Sequence, residues 1–170
     1  TTTSQSNPTA AAILTGAGDD TLVLGAVSTV NGDMDLGDGA DTLHLFGAPI
    51  VNGALVTGPG NNSLILDGPG SFGLHLPDFV TATKQGSGTY TVSDLDAGVN
   101  HFEITGGTLQ IGHDYQLSPT GDYYTYIQPD GQYGQLLVTG TLGLDGNMEV
   151  LEAGLGAYAD GETFDVVAAD

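Results

Sequence analysis

The chain has 170 residues, with 21 Asp and Glu against one cation, Lys84, for a formal net charge of −20. A phosphate-binding face must be basic, so this balance excludes nucleic acid as a partner and disfavours anionic lipid. The 28 Gly, 7 Pro and 39% apolar residues exclude long helices and favour short strands joined by tight turns. No apolar run approaches the ~18 residues of a membrane span, and with no cysteine nothing depends on redox state. No leader is visible and Thr1 falls in mid-pattern, so the chain reads as a segment of something longer.

From the N-terminus, one pattern recurs at a spacing of 21 residues in 15–24, 36–45 and 57–66. It is a Gly-x-Gly turn, a polar pair, a hydroxyl residue and an apolar–x–apolar strand. Val30-Asn31-Gly32 and Val51-Asn52-Gly53 repeat at the same distance. A fixed period of this length marks a solenoid, in which each coil buries its apolar face only against its neighbours. Side chains alternate across a strand, so Leu22, Leu43 and Leu64 form one inward column and Leu24, Leu45 and Leu66 a second. Val23, His44 and Ile65 face outward between them. A second face gives the columns Val30, Val51, Phe72 and Met34, Leu55, Leu76, while 25–29, 46–50 and 67–71 form a less regular third side. The expected fold is all-β, a right-handed parallel β-helix whose coils lie about 4.8 Å apart.

Near residue 78 the pattern changes. Pro77-Asp78 and the Lys84-Gln-Gly-Ser-Gly88 stretch break the spacing. Short alternating segments follow at 89–92, 101–105, 108–111, 123–127, 135–139, 141–144, 147–151 and 163–167, with a Pro-Asp-Gly turn after Gln128. The chain thus divides into β-helix turns at 1–79 and a C-terminal region at 80–170 that closes and caps the rod, some of its strands paired as hairpins. Five of the seven tyrosines fall in 115–133, pointing to a larger aromatic core or cap there.

Four segments carry a likeness to a known family: Gly107-Thr-Leu-Gln-Ile111; Tyr123 to Ile127 with Asp130-Gly131; Gln135 to Gly146 with Met148-Glu-Val150; and Gly161-Glu-Thr-Phe-Asp-Val-Val-Ala-Ala169. Together they resemble the passenger stem and autochaperone region of bacterial autotransporters over roughly the last 60 residues. The resemblance implies a chain exported through the periplasm and outer membrane of a Gram-negative bacterium, then displayed on the cell surface or secreted. It also implies a partner outer-membrane β-barrel further along the same polypeptide, with this segment emerging first and nucleating the β-helix. The acidity exceeds what that family leads one to expect.

The Gly-x-Gly turns are similar to a second family, the calcium-binding RTX repeats. Gly16, Gly18, Asp20, Leu22 and Gly37, Gly39, Asp41, Leu43 match that pattern, with Thr15 and Leu36 in place of the first glycine and Asn62 in place of the third Asp. RTX units have nine residues, two to a turn; here one such turn falls in each 21. Asp20 and Asp41 are therefore the metal candidates, since calcium needs six to eight oxygens and stacked Asp turns with backbone carbonyls could supply them. Asp, Asn and Gly also make turns without any metal.

The remaining chemistry is sparse. His44 and His75 lie between leucines and should face solvent, and no zinc spacing joins them to His101 or His113. The carboxylate pairs Asp33/Asp35, Asp19/Asp20 and Asp94/Asp96 lack nearby aromatic subsites, and Lys84 sits alone in a Gly/Ser stretch, against a polysaccharide-cleaving role. The sequence points to a non-enzymatic structural segment without catalytic residues or cofactor. The alternative is a calcium-stabilised adhesive surface module, contacting a host surface or its own kind.

Overall fold

In the computed structural model, residues 11–128, 130–154 and 161–170 are described, so Pro129 of the expected turn and the first ten residues of the N-terminal unit lie outside. The protein is a parallel β-solenoid of about seven coils. The first coil holds β1 (Ile13–Leu14), β2 (Thr21–Leu24) and β3 (Thr29–Val30), and the second β4 (Met34–Asp35), β5 (Thr42–Gly47) and β6 (Ile50–Val51). β7 (Leu55–Val56) and the long β8 (Asn62–Leu76) form the third, β9 (Phe79–Gln85) and β10 (Thr89–Leu95) the fourth. The fifth has β11 (His101–Ile104), β12 (Gly107–Ile111) and β13 (Tyr115–Leu117), the sixth β14 (Asp122–Ile127), β15 (Gly134–Val138) and β16 (Leu142–Leu144). β17 (Asn147–Glu152) and β18 (Val167–Ala169) complete the described coils.

One face stacks β2, β5, β8, β9, β11, β14 and β17. Leu22 pairs with Leu43 and Leu43 with Leu64, so the leucine column forms as the repeat requires. Val30 pairs with Val51, and Met34 with Leu55. A second face runs from the C-terminal half of β8 through β10, β12, β15 and β18. The unbroken β8 turns the corner between the two faces and so joins them in one sheet.

The Gly-x-Gly turns are a packing requirement. Gly37 and Gly39 have φ of +81° and +148°, and a Cβ on either would lie 1.7 Å and 2.1 Å from the carbonyl oxygens of Gly16 and Gly18. Real side chains cannot occupy that space, so the turns stack only if both positions stay bare.

The broken spacing after residue 78 does not end the solenoid. Thr81 lies 18 residues after its partner Ser63, whereas Asn147 lies 25 after Asp122; the coils shorten and lengthen while the columns continue. Below Leu64 the first column passes through Ala82, Phe102 and Tyr123. Below Leu66 the second reaches Lys84, then Ile104 and Thr125. Lys84 is therefore not a solitary cation in an exposed stretch: it is 1% exposed in the core. Its Nζ donates to the carbonyls of Gln85 (2.7 Å), Gly86 (2.9 Å) and Gly106 (3.3 Å), which fills all three donor positions. Burial lowers the pKa of the ammonium, and the Asp67 carboxylate acts in the opposite direction.

The expected hairpins are replaced by parallel pairing. Every strand pair among the described residues is parallel, and the single antiparallel contact is an isolated bridge between Ile127 and Tyr133. That bridge closes the turn after Gln128, where Gly131 N–H donates to the Gln128 carbonyl at 3.0 Å. The aromatic core extends further than the tyrosine count suggests, taking in Phe79, Tyr90, Phe102, Tyr115 and Tyr123, all buried. Burial pushes the Tyr90 phenol up to about 12. Tyr124 and Tyr126 belong to the outer face instead, by strand alternation.

Leu43 is fully buried between two leucines of its column. Leu43→Asp is expected to destabilise the rod by about 3–5 kcal/mol, read as a lower urea midpoint, because no partner is present for the buried carboxylate.

Candidate functional site

Asp20 and Asp41 stand on adjacent coils, and the structure shows what their column does locally. The Asp41 Oδ1 accepts the backbone N–H of Asp20 at 2.9 Å, and the Asn62 Oδ1 accepts that of Asp41 at 2.9 Å. Asn62 Nδ2 also donates to the carbonyls of Thr57 (3.2 Å) and Gly58 (3.3 Å). Each side chain thus ties its own turn to the preceding coil. Asp41 is 1% exposed, and its Oδ2 is buried with no hydrogen-bond partner.

The other acidic pairs near these turns are likewise engaged with backbone. Asp19 Oδ1 accepts from Ala40 N–H (2.9 Å), Asp33 Oδ1 from Ala54 N–H (2.8 Å) and Asp35 Oδ1 from Gly37 N–H (3.0 Å). Carboxylates held this way stabilise turn geometry. Among the described residues, no three His, Asp or Glu side chains converge as a metal cluster.

A second constellation went unseen in the sequence. His75, Asp94 and His113 come from three consecutive coils and form a ladder at the C-terminal end of the second face, where His75 and Asp94 pair in register on β8 and β10. His75 Nδ1 lies 2.9 Å from Asp94 Oδ2 and His75 Nε2 lies 3.5 Å from Asp96 Oδ1. The other Asp94 oxygen meets His113 Nε2, while His113 Nδ1 contacts the Asp114 carbonyl. Asp114 in turn accepts Thr141 N–H from the next coil at 2.7 Å. Asp94 and His113 are 19 residues apart, so a search at a strict 21 misses them; a period relaxed to the shorter coils would have found them. His44 is held more loosely, 3.6 Å from Asp67. Together with Phe46 and Pro69, that pair borders an open groove of about 510 Å³.

Comparison with known proteins adds no identity: no family model, curated protein or solved structure matches the chain.

The ladder has a defined electrostatic sense. Burial alone would lower the His113 pKa, but the hydrogen bonds to Asp114 and Asp94 and their charges together raise it. A raised folded-state value means that the folded chain holds the proton more tightly than the unfolded one. The resulting stability is fully present below about pH 6.5 and is lost as pH rises through the folded value. The ladder is substantially exposed, so solvent screens the effect. The urea midpoint should therefore fall modestly as pH is raised from about 6 to about 8. Asp94→Asn should flatten that slope, and an unchanged slope would show that the ladder is not its source.

Proposed function

We propose that this chain is a non-enzymatic structural segment of an exported, surface-presented passenger of the autotransporter type, serving folding during secretion. In this reading the longer polypeptide supplies its outer-membrane β-barrel, and the solenoid carries other regions away from the surface. The observation that carries the proposal is the change in core composition along the rod. Coils one to three are filled mainly by Leu, Val and Met, with Phe72 of coil three as their one buried aromatic, whereas coils four to six bury Phe79, Tyr90, Phe102, Tyr115 and Tyr123. Phe102 meets Tyr115 and Tyr123 with ring centroids 5.9 Å and 6.0 Å apart. Aromatic side chains bury more area each than aliphatic ones, so these coils form the more stable block. A stable block toward the C-terminus suits a chain exported with that end first, because later coils can add to an ordered template. Hydrogen exchange on the whole chain tests this: amides of β11, β12, β14 and β15 should exchange slowest, and those of β2 to β7 faster. Equal protection throughout would remove the nucleus.

The unpartnered Asp41 Oδ2 favours a second reading, a calcium-stabilised adhesive module. Asp41→Asn separates the two. If the column is only a backbone ladder, the new amide can donate to its own turn as Asn62 does; the variant should gain about 1–2 kcal/mol in urea unfolding, and calcium should shift neither protein. A chelator-sensitive rise in Tm that Asp41→Asn abolishes would instead establish the calcium module.

A further inference from the structure

We propose that the outward face of β11, β14 and β17 is a docking surface for an extended polypeptide segment bearing Arg or Lys at alternate positions. At its centre stands Tyr124, which pairs in register with Glu103 on one side and Glu149 on the other. The neighbouring column brings His101 and Asp122 side by side, with the His101 ring 5.1 Å from that of Tyr124. Tyr126, two residues along the same strand, donates its hydroxyl to Glu103. Two aromatic platforms are thereby flanked by three carboxylates on a half-exposed sheet surface.

Charge complementarity commits the occupant. The only Lys or Arg of the chain, Lys84, is buried, so the side chains of this chain offer these carboxylates no exposed ammonium or guanidinium. A cation above a tyrosine face gains from the ring quadrupole, and nearby carboxylates add to that attraction. The same sheet carries Val23, His44 and Ile65 on its outer side in the first three coils, so the tyrosine–carboxylate grouping is local to the later coils. Geometry favours an extended peptide. Tyr124 and Tyr126 repeat every second residue along a strand, about 6.8 Å, which is also the repeat of same-side side chains in an extended ligand lying along β14. This inference is independent of the passenger reading and needs no export or nucleation.

The probe is a capped octapeptide of alternating Arg and Ser, titrated into the whole chain at about 150 mM salt, where long-range attraction between exposed charges is largely screened. Measurable binding is expected, weakened about tenfold in the Tyr124→Leu/Tyr126→Leu double variant, whose net charge is unchanged. Circular dichroism confirms that the variant is folded. Should it not fold, Glu103→Gln/Glu149→Gln supplies the test, because it keeps both tyrosines and an acceptor for Tyr126; binding should again weaken about tenfold. No binding by the native chain overturns the proposal. So does equal binding by the folded tyrosine variant, which would mean diffuse attraction to an acidic rod. Displacement of the peptide by a neutral β-linked glucose oligomer would likewise overturn it, in favour of a glycan surface.

Discussion

Coils that stack in parallel at one strand spacing, about 4.8 Å, place each side chain directly above its counterpart in the coil below. That distance is shorter than most side chains are long, so a position is constrained more by its column than by its neighbours in sequence. Inward columns must be apolar, or polar with every donor matched; leucine stacks through the first coils and Lys84 obeys the same condition with three carbonyls. Turn columns must be bare where backbones touch, and Gly37 and Gly39 meet that condition against Gly16 and Gly18. Polar columns survive by passing hydrogen bonds from coil to coil, as Asp41 and Asn62 do. The fold is one contact pattern repeated along an axis.

This explains which parts were legible in the sequence. Where turn length is constant, column membership is simple arithmetic, and Leu22, Leu43, Leu64 or Met34 and Leu55 can be placed without coordinates. After residue 78 the turns change length while the strands keep their register, so arithmetic at a fixed period fails even though the physics is unchanged. Lys84 illustrates the failure most clearly. By composition it belongs to a Gly/Ser linker, yet a coil shortened to 18 residues sets it beneath Leu66. A charged residue in a leucine column has no signature in sequence, since its acceptors are backbone carbonyls supplied by Gln85, Gly86 and Gly106. The His75–Asp94–His113 ladder was hidden for the same reason. The metal candidates were legible as a column, but not the backbone bonds that occupy Asp41 Oδ1 and Asn62 Oδ1.

Burying the sole cation also divides the electrostatics of the molecule into two regimes. Inside, the Lys84 ammonium is held by carbonyl dipoles and the buried Asp41 carboxylate by the Asp20 N–H. Outside, the other acidic side chains have only imidazoles to balance them, and a net charge of −20 on so thin a rod repels its own copies. Such repulsion acts between rods lying side by side and weakens as salt is raised. It also acts within the rod, between carboxylates of successive coils, and the structure answers it locally. Asp94 sits between two histidines, while Asp19, Asp33 and Asp41 accept backbone N–H groups.

Around Glu103, Asp122 and Glu149 that local answer comes from neutral groups. Glu103 receives a phenol, and Asp122 receives the Asn147 amide at 3.1 Å and stands beside His101. None of these partners carries a permanent charge. The pKa of the Tyr124 phenol is raised, first by desolvation and then by Asp122 and Glu149. Only the carboxylate contribution reports a negative potential over the ring, and that potential is what attracts a cation. In a solenoid this field is not confined to one strand, because the column sets Glu103 and Glu149 on either side of Tyr124. A short acidic motif would hold one cation at a point; here carboxylates on the neighbouring coils flank a ligand that lies along β14, where alternate side chains meet Tyr124 and Tyr126.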